Sequence, residues 1–118
     1  DRMVIQTYAG GRFKISGKIY EEPVLVFSEN VVSWQTKNAA QDMTIEDFSP
    51  LFSNADEIDV LLWGCGDSGI FFPPALRKAL REKGLVVEVM DTGAACRTYN
   101  VLLAEGRRVV AALLPVSA

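Results

Sequence analysis

The chain has 118 residues, 49% of them hydrophobic and 23% charged, with a net charge of -3; this is the profile of an ordinary globular protein, not of a disordered segment. Its pI near 4.9 argues against a nucleic-acid partner, which would call for a concentrated basic face. Its longest apolar run, Val109 to Leu114, falls far short of the roughly 20 residues of a membrane-spanning helix.

The absence of histidine removes Ser-His-Asp and Cys-His catalysis, histidine general bases and HExxH zinc sites together. Two cysteines, Cys65 and Cys96, make no disulfide framework, so a reducing cytoplasm is the default. The totals therefore predict one domain over residues 1–118, cytoplasmic, with no membrane insertion, no metal and no cofactor. No signal-peptide pattern opens the chain, and a start at Asp1 leaves room for upstream residues.

The first third reads as extended. Val4 to Tyr8, Arg12 to Ile15, Lys18 to Tyr20, Val24 to Phe27 and Val31 to Gln35 are short β-prone runs punctuated by Gly10-Gly11, Gly17, Pro23 and Ser28-Glu29-Asn30. Together they predict an N-terminal antiparallel β meander. Thr44, with Asp47 three residues on, has the spacing of a capping box opening a short helix. Ser49-Pro50 ends that turn or begins another, with Leu51 and Phe52 on its buried side.

Residues 58–115 read as a βαβαβ half. Ile58 to Trp63 is an apolar strand bounded by Gly64. Pro73 and Pro74 suit a helix start, because a first-turn residue needs no amide hydrogen. The helix Ala75 to Lys83 places Leu76, Ala79 and Leu80 on one side and charges on the other, and Gly84 is a natural stop. A strand from Leu85 to Met90 follows. Then come a helix from Ala94 to about Ala104 capped by Thr92, and a last strand, Arg107 to Leu114. The fold class predicted is α/β, with a mixed central sheet.

The two turns of this half hold the chemistry. Gly64-x-Gly66-x-x-Gly69 after a strand invites a dinucleotide reading. The third glycine should then lie in the first turn of the helix, yet Ile70 to Pro74 intervene, which favours a structural turn. Asp91-Thr92-Gly93 is also the aspartic-protease triplet, but a helical pattern follows it at once where that fold has a barrel strand. Asp91 is better read as capping strand and helix ends, with Arg97 as an ion-pair partner. Cys65 and Cys96 each follow a strand placed in one sheet, so a shared thiol site beside helix N-termini is one reading; small buried hydrophobes are the favoured one.

If the two turns converge beyond the carboxyl ends of the strands, they offer Gly64, Cys65, Gly66, Asp67, Ser68, Asp91, Thr92, Gly93, Cys96, Arg97 and Asn100 as a candidate ligand or partner site. A small anion held by Arg97 and helix-end amides fits that rim. Phe71 and Phe72, in a proline-stiffened turn, are either an anchor for a partner protein or core.

Gly64-Cys65-Gly66, Pro73-Pro74-Ala75-Leu76-Arg77 and the run from Val89 to Asn100, in that order, resemble a family of unknown function. It includes mitochondrial complex I assembly factor 3 and an adipogenesis-associated Mth-like domain protein. The resemblance spans about Tyr20 to Pro115, and Met-Asp-Thr-Gly-x-Ala-Cys-x-x-Tyr-Asn, residues 90–100, is its most specific part. It implies a compact three-layer Mth-like α/β domain without established catalytic activity or cofactor. Cys65 stands where relatives commonly have small or hydroxyl residues, so it is not read as a family catalytic residue. The leading expectation is a bacterial, non-enzymatic interaction or assembly domain with protein partners, tied to respiratory complex I biogenesis. The alternative is a small-ligand or anion-binding domain, or a weak thiol enzyme.

Overall fold

The computed structural model describes residues 2–117. The chain opens with β1 (Ile5–Thr7), β2 (Phe13–Ile15) and β3 (Lys18–Tyr20), paired antiparallel in that order as a three-stranded sheet. Ser16 and Gly17 turn β2 into β3 with φ of 45° and 87°; two consecutive positive values match the twist of the flanking strands.

The predicted meander does not continue past β3. The next strands, β4 (Val24–Val26) and β5 (Val31–Ser33), join instead with β6 (Val60–Cys65), β7 (Val87–Met90) and β8 (Val109–Leu114) in a second sheet. Its order is β5-β4-β8-β6-β7, parallel across β8, β6 and β7 and antiparallel where β4 meets β8 and β5. Burial explains the split. All three residues of β4 are buried, so it requires a strand position covered on both faces. In β2 and β3, Lys14, Lys18 and Ile19 face water.

Alternation along β6 feeds two cores. Leu61, Trp63 and Cys65 face one side, against Phe48, Leu51 and Leu80. Val60 and Leu62 face the other, against Ala95, Tyr99 and Leu103 and against Ile5, Phe13 and Ile15 of the small sheet. The first side is covered by 3-10 turns at Ala40–Asp42 and Ile45–Glu57 and by α1 (Pro74–Glu82); α2 (Thr92–Ala104) covers the second. Three layers result, as expected.

The predicted short helix after Thr44 is the longer 3-10 segment, with Pro50 inside it; proline removes a backbone donor and disfavours an α-helical ladder. Asp47 organises its start. Its carboxylate accepts from Thr44 N–H at 2.9 Å, from the Thr36 hydroxyl at 2.7 Å and from Asn38 Nδ2 at 3.1 Å. Partial burial works to raise the pKa of this carboxyl, but the three bonds outweigh it and hold it below its ordinary value.

Candidate functional site

The two turns meet at one edge of the large sheet. Gly64 and Cys65 end β6, Met90 ends β7 and Leu114 ends β8, all at the carboxyl end of the parallel strands. What gathers there is a set of groups bonded to one another. Thr92 is fully buried. Its hydroxyl accepts from Gly66 N–H at 2.8 Å and donates to the Leu114 carbonyl at 2.5 Å, while its own N–H donates to the Gly66 carbonyl at 2.9 Å. One side chain thus ties the ends of β6 and β8 to the start of α2.

The helix cap is therefore not Thr92 but Asp91, whose Oδ1 accepts from Ala94 N–H at 2.8 Å. Both residue types cap well; threonine is diverted here because its hydroxyl has strand ends to bridge. With Thr92, Ala94 and Ala95 amides already engaged, the first turn of α2 has little left for an external anion. The expected Asp91–Arg97 ion pair is also absent among the described residues. Arg97 Nη1 donates instead to the Tyr8 hydroxyl at 2.7 Å.

That contact belongs to a seam running along α2. A Cβ on Gly93 would meet Tyr8 Cε1 at 2.9 Å, so glycine is what lets the tyrosine ring settle on the helix. Asn100 forms a two-way bridge with β1, accepting from Ile5 N–H at 3.0 Å and donating to the Ile5 carbonyl at 2.8 Å. The Tyr99 hydroxyl lies 2.9 Å from the Met3 carbonyl and 3.1 Å from that of Phe27; burial pushes it up to about 12, so it stays a donor at neutral pH. Asp91, Thr92, Gly93, Arg97, Tyr99 and Asn100 all work on this chain's own backbone and side chains.

The two thiols are near in sequence logic but apart in space. Cys65 is the last residue of β6, not part of the turn, and packs with Trp63 on one face of the sheet; Cys96 is a buried residue of α2, in the core on the other face. Burial pushes each thiol up to about 12. This is opposite to what a nucleophilic cysteine requires. Neither is expected to react with an aromatic disulfide reagent in the folded protein at about pH 8, and both should react once denaturant is added. Rapid labelling of one thiol in the native state would contradict the geometry.

The loop after β6 is divided. The Asp67 carboxylate accepts from Ser117 N–H at 3.0 Å and from the Ser117 hydroxyl, which fastens the C-terminal segment. Ser68 is exposed. Phe71 is 79% exposed, whereas Phe72 packs edge-on against Trp63 with ring centroids 5.8 Å apart. The turn contributes one aromatic to the core and one to solvent.

A feature without a linear motif lies at the other end of the sheet. An open cleft of about 880 Å³ borders Leu25, Phe27, Val32, Pro50, Arg107 and Val110, residues from four separate stretches. Arg108 at its margin is committed to Asp59, with Nη2 3.0 Å from the carboxylate. Among the described residues no cluster of histidine, cysteine, aspartate and glutamate has the form of a metal site, and no helix is long and apolar enough to cross a membrane.

Residues 5–114 match a family described as protein of unknown function, DUF498/DUF598. Over 113 residues the chain is 35% identical to the Bos taurus protein named NADH dehydrogenase [ubiquinone] 1 alpha subcomplex assembly factor 3, covering 96% of this chain and 61% of that one. The fold superposes on a Bartonella henselae protein, described as an outer membrane protein, with a TM-score of 0.86 at 35% identity, covering 98% of this chain and 96% of that one. A Mth938-like domain of Bordetella pertussis superposes with a TM-score of 0.81 at 30% identity, covering 96% and 85%.

Proposed function

The chain belongs to the DUF498/DUF598 family, and from that membership we propose that it is a non-enzymatic, single-domain assembly factor that binds protein partners during respiratory complex I biogenesis in a bacterial cytoplasm. The observation that carries this reading is the 35% identity to the bovine assembly factor, spread over 96% of the chain. The chain spans about 61% of that relative's length. The family's signature run supports the same reading. Its polar groups are spent on capping α2 and on fastening it to the N-terminal segment and to the ends of β6 and β8, which makes a rigid body for presenting a surface.

The test is to tag the intact chain in its native cell, crosslink mildly and quantify what co-purifies. Enrichment of NADH:quinone oxidoreductase subunits is the expected result, together with lower assembled enzyme when the gene is deleted. Recovery of the bare chain alone, with normal enzyme levels in the deletion strain, would sink the proposal.

A further inference from the structure

We infer that the turn carrying Phe71 and the outward face of α1 form the docking surface for an acidic segment of a partner protein, with Phe71 as its anchor. This rests on the assembly-factor reading and adds to it a location and a partner chemistry.

Isolated exposed valines need no explanation, but Phe71 differs from them in two ways. The first is that its exposure, 79%, is imposed by fixed neighbours. Ile70 is half-buried against the core. Phe72 is held edge-on to Trp63 and lies under the Arg77 guanidinium, 4.4 Å from ring centroid to Cζ. Pro73 and Pro74 then lead directly into α1. A ring projected by a turn anchored on both sides loses little freedom on binding, and buried aromatics dominate interface energetics.

The second is charge. Between Pro74 and Lys83 the chain carries four cations against Glu82, a local charge of +3 in a chain of net -3. None of these cations forms an ion pair among the described residues. Arg77 is occupied by Phe72 and by the Val87 carbonyl, 3.3 Å away, whereas Lys78 and Arg81 stand exposed. An unneutralised basic face on an acidic protein complements an acidic partner and steers it. A lipid surface fits less well, because an interfacial helix must spend its apolar face on the membrane, and Leu76, Ala79 and Leu80 of α1 face inward.

A photo-reactive benzoylphenylalanine at position 71 of the intact chain, in its native cell, tests this directly. A protein adduct is expected, whose contact peptide, mapped by mass spectrometry, is rich in Asp and Glu. The double variant Lys78→Glu, Arg81→Glu should reduce that adduct by about tenfold or more, while Lys14→Glu, a charge reversal on β2, should leave it unchanged. The α1 variant should melt at the unchanged temperature, which separates lost docking from lost folding. An adduct on a second copy of this chain, on phospholipid, or on a peptide without acidic excess overturns the inference. No adduct, in cells where the tagged chain still enriches oxidoreductase subunits, overturns the surface and leaves the assembly reading standing. An acid-rich adduct without that enrichment overturns the assembly reading and leaves the surface.

Discussion

Replacing Thr92 by valine is expected to destabilise the protein by about 3 kcal/mol and to lower its melting temperature by roughly 10 °C. Valine keeps the shape and removes the hydroxyl. In the native chain that hydroxyl serves two backbone groups at once, Gly66 N–H at 2.8 Å and the Leu114 carbonyl at 2.5 Å. Gly66 is buried, so its amide loses its partner without gaining water, and such an orphan costs about 1–3 kcal/mol. Serine at the same position keeps both bonds and gives up one methyl group, a loss of about 1 kcal/mol. Urea unfolding of the two variants distinguishes a hydrogen-bonding role from simple packing. A valine variant as stable as the native protein, with serine the costlier change, would mean that the methyl, not the hydroxyl, holds the strand ends.

Local chemistry is what the sequence made legible. Pro74 inside the first turn of α1, Gly84 after it, and the alternation that marks β2 all depend on a few adjacent residues, and all stand in the structure. The carboxyl-end rim was legible for the same reason, since each strand-turn-helix unit announces itself locally. What stayed hidden depends on partners far along the chain. Nothing near Val24 says that β4 will pair with β8, where Val24 lies opposite Leu113. The buried run of β4 was the one signal, because three consecutive covered residues do not suit a meander with a wet face.

The roles within the rim were obscured in the same way. Thr92 and Asp91 are adjacent and both are good caps; only the position of Leu114 decides which of them is free to cap α2. Gly93 looks like part of a catalytic triplet until Tyr8 is found against it. The cleft beside Leu25 and Arg107 draws on distant stretches, and no spacing within any one of them marks it.

The glycines at the end of β6 and in the loop after it allow the sharpest contrast between a ligand loop and a structural one. Gly64→Ala is expected to cost about 2–3 kcal/mol. Its new Cβ would stand 2.9 Å from Leu113 Cδ2 and 3.0 Å from both Thr92 Cα and Thr92 Oγ1. Leu113 is completely buried and Thr92 is pinned by its three bonds, so neither can step aside. Gly66→Ala meets no atom closer than 3.7 Å but must hold φ at +94°, a strain of about 1–2 kcal/mol for a residue with a side chain. Gly69→Ala enters open space and should change stability by no more than about 0.5 kcal/mol. The expected order of loss is therefore 64, then 66, then 69, measured by thermal or urea unfolding of the isolated protein with no ligand added. In a phosphate-cradling loop the glycines make room for the ligand, and substituting them would weaken binding more than folding. A flat stability profile across the three positions would restore that reading and remove Gly64 from the packing of α2 on the sheet.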